Sequence, residues 1–152
     1  MTPVFKPLPD ARSGCELCQT AGGHLVWQHD DWRVIRVDDP DFPAFYRVIH
    51  HPHVAEFSQL EPDARHRCMA LVTAVEEMLL SRLRPTKVNL AAFGNMVPHL
   101  HWHVVARFDW DSHFPQPLWG ARQREVMPPA RHRLAVTLDA LDADVKVALD
   151  AA

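Results

Sequence analysis

The chain has 152 residues, a formal net charge of −3 and three cysteines. The acidic balance excludes the basic surface with which proteins bind duplex nucleic acid, and no apolar run approaches the ~18 residues of a membrane span. The odd number of cysteines indicates a reducing compartment, and the N-terminus lacks the basic start and apolar segment of a signal peptide, so we expect a cytoplasmic protein.

The first part of the chain predicts an arm, a small sheet and a long helix. Residues 1–14 contain three prolines and predict an irregular arm. Short apolar runs then predict an antiparallel meander with strands at 25–28, 32–37 and 46–49. From residue 61 to 83, apolar residues recur at three- and four-residue steps, which predicts a helix that ends at Arg84-Pro85.

The second part predicts two more strands and a C-terminal extension. The strands are expected at 88–93 and 101–106, followed by an irregular segment over 108–129 and a helix over 130–150. Five strands and one long helix predict a single α+β domain over residues 1–152, in which a helix covers one face of an antiparallel sheet. The aromatic side chains of the irregular segment are interpreted as packing residues, with a role in covering a groove as the alternative: Trp110, Phe114 and Trp119.

The stretch whose side chains are best suited to catalysis or metal binding is HLHWHVV at residues 99–105. Alternate residues of a strand share a face, so the pattern predicts a row formed by His99, His101 and His103. Three interpretations compete for this row. The histidines can be structural, they can bind a metal, or one imidazole can attack phosphorus while its neighbours orient it and bind the phosphate oxygens.

The same pattern resembles the signature of the histidine triad (HIT) superfamily of nucleotide hydrolases and transferases. The segments 46–60 and 87–98 resemble the strands, helix lead-in and glycine-bearing loop that flank the triad there. The resemblance covers roughly residues 15–107 and fades over 108–152. It implies the HIT-like fold, with a five-stranded antiparallel sheet, one long helix and a C-terminal helix, together with a nucleotide substrate and a homodimer.

The resemblance also implies roles for individual residues. His101 is expected to attack the α-phosphorus of a nucleotide, while the backbone carbonyl of His99 accepts its other ring N–H. His103 is expected to donate to a phosphate oxygen. The loop that begins at Gly94 is expected to supply backbone N–H groups to the same phosphate, and Asn95 falls where the family places a polar phosphate contact.

Nucleoside binding and leaving-group protonation are less well defined. The resemblance implies a ribose contact at Asp38 or Asp39, for which an ordinary turn role is the alternative. Phe45 stands where many members carry a fourth histidine, and Met96 stands where the phosphoramidase branch has a serine. Neither side chain can give a proton to a leaving group, so the source of that proton is left open.

A Cys-x-x-Cys pair precedes the first strand, at Cys15 and Cys18. By itself the pair is ambiguous between metal binding, redox chemistry and chance. In zinc-bearing members of the resembled family, such a pair joins a histidine after the third strand and the first histidine of the triad. Those positions are His53 and His99 here, which implies a closed structural zinc site, with reduced surface thiols as the alternative.

The resemblance therefore implies a hydrolase or transferase that cleaves a nucleoside phosphoanhydride, such as diadenosine tetraphosphate, through a nucleotidyl-His101 intermediate. Adenosine phosphoramidate hydrolysis is the enzymatic alternative. A catalytically weak nucleotide-binding or regulatory module is an alternative from another class, as is a zinc-dependent hydrolase with the triad as metal ligands. No polynucleotide or membrane partner is expected.

Overall fold

The structure is a computed structural model that describes residues 3–152. In chain order its helices and strands are α1 (Glu16–Gln19), β1 (His24–His29), β2 (Trp32–Arg36), β3 (Phe45–His50), α2 (Pro62–Leu83), β4 (Lys87–Ala91), β5 (His101–Arg107) and α3 (Leu138–Ala151), with 3₁₀ turns at Phe57–Gln59 and Ala130–Arg133. None of the helices in this part of the chain is long and apolar enough to cross a membrane.

The five strands form one antiparallel sheet in the order β1-β2-β3-β5-β4. The meander of the first three strands is confirmed. The last strand, β5, inserts between β3 and β4, so β4 forms an edge of the sheet. In the β3–β5 pair, Arg47 lies opposite His103 and Ile49 lies opposite His101. The predicted α+β architecture with a five-stranded antiparallel sheet is therefore confirmed.

The two faces of the sheet are covered differently. On one face, apolar side chains of the strands pack against α2 and α3 in the main core, which includes Val34, Tyr46, Val48, Val104, Leu71, Val75, Leu79, Leu141 and Val145. On the other face a smaller cluster joins Leu17 of α1 to Leu25, Ile35 and Ile49. The two helices therefore leave the second face to α1 and to the loops.

Two predicted boundaries are wrong by more than one residue. The strand expected over 88–93 ends at Ala91, whereas the strand expected over 101–106 is observed at His101–Arg107. The helix expected over 130–150 begins at Leu138, because the Thr137 side chain accepts a hydrogen bond from the N–H of Ala140 and caps it there. The four-residue helix α1 was not predicted, because one turn is too short to show a helical period.

A buried carboxylate fastens α3 to the sheet. Asp142 accepts hydrogen bonds from the Tyr46 hydroxyl at 2.6 Å and from Nε of Arg36 at 2.9 Å. Replacing Asp142 by Asn leaves the Arg36 charge buried without its counter-ion, so we expect the free energy of unfolding to fall by about 3 kcal/mol. Denaturant unfolding measures this loss.

A matched control lies on the same helix. Asp144 pairs with Arg82 at 2.7 Å, but both side chains are more than a third exposed. Asp144→Asn should therefore change the free energy of unfolding by less than about 1 kcal/mol. Equal losses in the two variants would contradict an anchoring role for Asp142.

Candidate active site

His101 and His103 project from β5 on the face of the sheet that the two long helices leave free. Both side chains line one cavity, and their ring centroids lie 4.9 Å apart with the rings nearly perpendicular. Trp102, between them, packs against the main core on the opposite face. The strand period predicted for these two histidines is therefore present.

His101 is held in one tautomer by the backbone. Its Nδ1 lies 2.6 Å from the carbonyl oxygen of His99, to which it donates. The proton therefore resides on Nδ1, and Nε2 retains its lone pair. Burial lowers the pKa of His101, and the nearby Arg47 guanidinium lowers it further, against the hydrogen bond to His99. The ring is therefore neutral at neutral pH and presents the Nε2 lone pair.

His99 itself does not line the cavity with the other two histidines. It precedes β5, is fully buried, and its Nε2 donates to the carbonyl oxygen of His50 at 2.6 Å. Burial lowers the pKa of His99 to about 4, so the ring is neutral and Nδ1 has a free lone pair. The predicted row of three imidazoles on one face is thus reduced to two, because the turn before β5 directs the first ring elsewhere.

The free Nδ1 of His99 faces the two cysteines. It lies 3.4 Å from Sγ of Cys15 and 3.5 Å from Sγ of Cys18, and Nδ1 of His53 lies 3.4 Å from Sγ of Cys18. The four donor atoms all lie within 4.8 Å of one another. The structure therefore brings together the four residues that the sequence suggested as metal ligands.

The donor set fits zinc. A tetrahedral zinc ion with ordinary bond lengths separates a sulfur ligand from a nitrogen ligand by about 3.5 Å, which matches the observed separations. The bond from His99 to the His50 carbonyl is also the outer-sphere contact that zinc-ligating histidines commonly make. Neither His101 nor His103 belongs to this group of potential ligands.

The cavity in front of His101 and His103 has a volume of about 490 Å³, within the range of small-molecule sites. The sequence-predicted Gly94 and Asn95 lie in its wall, and Gly94 has a positive φ of 69° that a side chain would strain. The remaining lining residues are Glu16, Leu17, Arg47, Phe93, Met96, Val97, Pro117 and Trp119.

Neither candidate ribose ligand is among these lining residues. The Asp39 carboxylate accepts hydrogen bonds from the backbone N–H groups of Asp41, at 2.9 Å, and Phe42, at 3.4 Å. That arrangement is the turn role given as the alternative. A ribose contact at Asp38 or Asp39 therefore stays a prediction.

Phe45 and Arg47 follow each other on the cavity face of β3. The Phe45 ring is buried and its centroid lies 5.3 Å from that of His103. Arg47, directly opposite His103 in the register, donates from Nε to Nδ1 of His103 at 3.4 Å. Burial lowers the pKa of His103 to about 3, helped by His101 and Arg47. Arg47 was not predicted as a site residue, although a charged residue among the apolar residues of a strand is a signal.

An aromatic wall closes the cavity from the C-terminal segment. Trp119 lies with its ring centroid 5.3 Å from that of His103 and 4.8 Å from that of Phe93. Both aromatic side chains remain 58% exposed, so neither is a core residue. For Trp119 the structure therefore supports the alternative role, at a groove, over packing in the core.

A buried ion pair holds that C-terminal segment in place. Arg107, at the end of β5, donates two hydrogen bonds to the Asp111 carboxylate at 2.8 and 3.1 Å and another to the carbonyl of Gln116 at 2.8 Å. Both charged side chains are at most 3% exposed. This pair positions the turn that leads to Trp119.

Asp111 supplies a pH-dependent part of the stability. Burial alone would raise its pKa, but Arg107 and three backbone N–H donors outweigh that effect and lower it. The stabilisation is then fully present above the ordinary aspartate pKa of about 3.9 and is lost as the pH falls through the lower folded value. We expect wild type to exceed Asp111→Asn by about 3 kcal/mol in unfolding free energy at pH 7.

Denaturant unfolding over a pH series measures this difference. It should stay constant from pH 7 down to about 5 and shrink below about 4. If the difference in unfolding free energy between wild type and Asp111→Asn grew as the pH fell, the lowered pKa of Asp111 in the folded state would be contradicted.

Comparison with known proteins agrees with the geometry of this site. The family model for the HIT domain matches residues 19–110, more than half of the chain. A histidine triad protein from Marinobacter aquaeolei is 25% identical, with a TM-score of 0.67, and the match covers 86% of this chain and 91% of that one. A histidine triad protein from Bradyrhizobium japonicum is also 25% identical, with a TM-score of 0.65 and coverage of 86% and 90%. A search of curated proteins found no match.

A more distant structure shares the fold. A hypothetical histidine triad nucleotide-binding protein from Sulfolobus tokodaii is 14% identical, with a TM-score of 0.56, and the match covers 85% of each chain. The match of the HIT family model, together with the similarity to the two histidine triad proteins, confirms the predicted HIT-like fold. The chain belongs to the HIT family, and this membership supports a nucleotide-binding or a hydrolase or transferase role.

Proposed function

We propose that this protein is a nucleotide hydrolase or transferase that cleaves a nucleoside phosphoanhydride, with diadenosine tetraphosphate as the representative substrate, through a covalent bond to His101. The observation that carries the proposal is the 2.6 Å contact between Nδ1 of His101 and the His99 carbonyl. It leaves a neutral Nε2 with a lone pair, on a residue that lines a cavity of nucleotide-binding size.

The reaction proceeds in two displacements. Nε2 of His101 forms a bond to the α-phosphorus while the bond from phosphorus to the bridging oxygen breaks, and the leaving phosphate keeps the electron pair. A water oxygen then attacks the same phosphorus and releases one proton to solvent, while the P–N bond breaks and its electron pair returns to Nε2 of His101 as the nucleoside monophosphate departs. One difficult displacement is thereby replaced by two easier ones.

Other residues stabilise the phosphate during both steps. Arg47 donates to Nδ1 of His103, which supports a proton on Nε2 of His103 that it can donate to a non-bridging phosphate oxygen. Gly94 and Asn95, which line the cavity, are proposed to contribute a backbone N–H and a side-chain amide. Asp38 or Asp39 is retained as the proposed ribose contact, and a homodimer as the proposed assembly.

We propose a structural role for zinc at the cluster of two cysteines and two histidines. The protein ligands would be Cys15, Cys18, His53 and His99, which provide a closed set of four donors. Zinc bound there would tie the N-terminal arm to the sheet and hold His99. Four protein ligands leave no open coordination position, so the catalytic steps belong to the histidines on β5.

Intact-mass analysis tests the proposed reaction. Wild-type protein is mixed with diadenosine tetraphosphate or with adenosine phosphoramidate and quenched in base, which preserves phosphohistidine. A nucleotidyl adduct with either substrate, absent from His101→Ala, supports covalent catalysis, and the substrate with faster turnover identifies the bond cleaved. Nucleotide binding without an adduct or turnover would overturn the proposal in favour of a binding module.

A further inference from the structure

Arg47 is a charged side chain on the cavity face of an otherwise apolar strand. It lies in the register opposite His103, and its side chain lines the same cavity as His101 and His103. The guanidinium carbon also lies 5.3 Å from the centroid of the Phe45 ring, which supports the side chain from below. Arg47 is thus positioned beside the two triad histidines on β5.

Within residues 3–152, the only hydrogen bond that the Arg47 side chain makes is the 3.4 Å contact from Nε to His103, and no carboxylate oxygen lies within 4.0 Å of its nitrogens. Glu16 shares the cavity but forms no ion pair with it. The two terminal nitrogens therefore have no protein acceptor.

The other buried arginines of the sheet contrast with Arg47. Arg107 is paired with Asp111, and Arg33 donates to the carbonyls of Leu17 and Ala21. Both therefore have their donors satisfied by the protein. A partly buried guanidinium without acceptors is costly, unless an anionic ligand supplies them. The chemistry of Arg47 thus points to an anion in the cavity.

We propose that Arg47 binds the departing phosphate of the substrate and so selects anionic leaving groups, an inference that rests on the proposed function. When the bridging P–O bond breaks, the leaving phosphate gains one negative charge on its oxygen. The terminal nitrogens of Arg47 can bind phosphate oxygens in a bidentate manner and stabilise that charge. No proton transfer is then needed.

This role explains how a leaving group can depart although neither Phe45 nor Met96 can donate a proton to it. An amine leaving group must be protonated as it departs, and an arginine cannot supply the proton at neutral pH. A phosphate leaving group needs only stabilisation of its charge. The substrate class that fits the site is therefore a nucleoside phosphoanhydride rather than a phosphoramidate.

Kinetics with two leaving groups test the inference. Values of kcat/KM are measured for diadenosine tetraphosphate and for adenosine phosphoramidate with wild type, Arg47→Met and Arg47→Lys. We expect Arg47→Met to lower kcat/KM for both substrates, because His103 loses the donor to its Nδ1, and to lower it about 100-fold further for the phosphoanhydride, whose leaving group loses its cation. Arg47→Lys keeps the positive charge, so it should retain part of the preference for the phosphoanhydride over the phosphoramidate. Arg131→Met, an exposed arginine that does not line the cavity, serves as the control.

Two results would overturn the inference while the proposed function stands. Equal losses for both substrates would show that Arg47 acts only on the transferred phosphate, directly or through His103, and no loss would show that it has no role. In both cases wild type still forms the His101 adduct. If wild type forms no adduct, calorimetric titration with tripolyphosphate tests separately whether Arg47 binds an anion in the cavity. Binding at least about 10-fold weaker in Arg47→Met supports an anion site, and equal affinity rejects it.

Discussion

Replacing His101 by Ala is expected to lower turnover of the preferred nucleotide by about 10⁴-fold or more, the order of loss that follows removal of a covalent nucleophile. The physical reason is the hydrogen bond from Nδ1 to the His99 carbonyl, which leaves Nε2 as the attacking atom. The backbone N–H groups and side chains that are proposed to bind the substrate are unchanged in the variant. Nucleotide affinity, measured by titration calorimetry, should therefore change little.

His103→Ala is the matched control for this prediction. His103 projects from the same strand and lines the same cavity, but its proposed role is to donate one hydrogen bond to the phosphate. Removing one such donor costs about 10²- to 10³-fold. Added imidazole should restore part of the turnover of His101→Ala and none of that of His103→Ala. A smaller loss in His101→Ala than in His103→Ala would contradict the assignment of the nucleophile.

Replacing Cys18 by Ser is expected to remove bound zinc and to destabilise the protein by about 4 kcal/mol, at a free zinc concentration one thousand times the Kd of wild type. The Sγ of Cys18 lies within 3.5 Å of Nδ1 of both His53 and His99, so it has a central place among the four donors. Metal content by mass spectrometry and the midpoint of thermal unfolding measure the two effects. Chelation of wild type should lower the midpoint similarly.

Cys68→Ser is the control for the thiol itself. Cys68 lies in α2, is fully buried and packs in the main core. Burial raises its pKa to about 12, so it stays a neutral thiol. This variant is expected to lose some stability from a buried hydroxyl but to keep its full zinc content. Wild type without zinc, or Cys18→Ser with an unchanged zinc content, would contradict the metal site.

The part of the site that follows a short-range rule could be predicted from the sequence. Alternation along a strand places His101 and His103 on one face, and the helical period of residues 62–83 identifies α2. The set formed by the cysteine pair with His53 and His99 was suggested only by resemblance. Composition alone could not reveal it, because its members lie up to 84 positions apart in the sequence.

The parts that were missed depend on long-range pairing. Arg47 reaches the cavity because β5 pairs with β3 rather than with another strand, and a single sequence does not specify that partner. Trp119 lies in a segment without a period, so its position is determined by the distant contacts of Arg107 and Asp111. His99 was expected to share a face with His101, but the chain is not yet in a strand at that residue.

The residues that line the cavity come from two parts of the chain, one inside and one outside the span that matches the HIT family. The reacting histidines come from β5, inside the span that matches the HIT family, whereas Glu16 lies before residue 19 and Pro117 and Trp119 lie after residue 110. A substitution or insertion in these flanking stretches changes the shape of the wall without altering the register of β3 and β5. Under the proposed function, such changes are expected to alter which nucleotide the cavity accepts while His101 still reacts, so the flanking stretches are the places to redesign substrate choice.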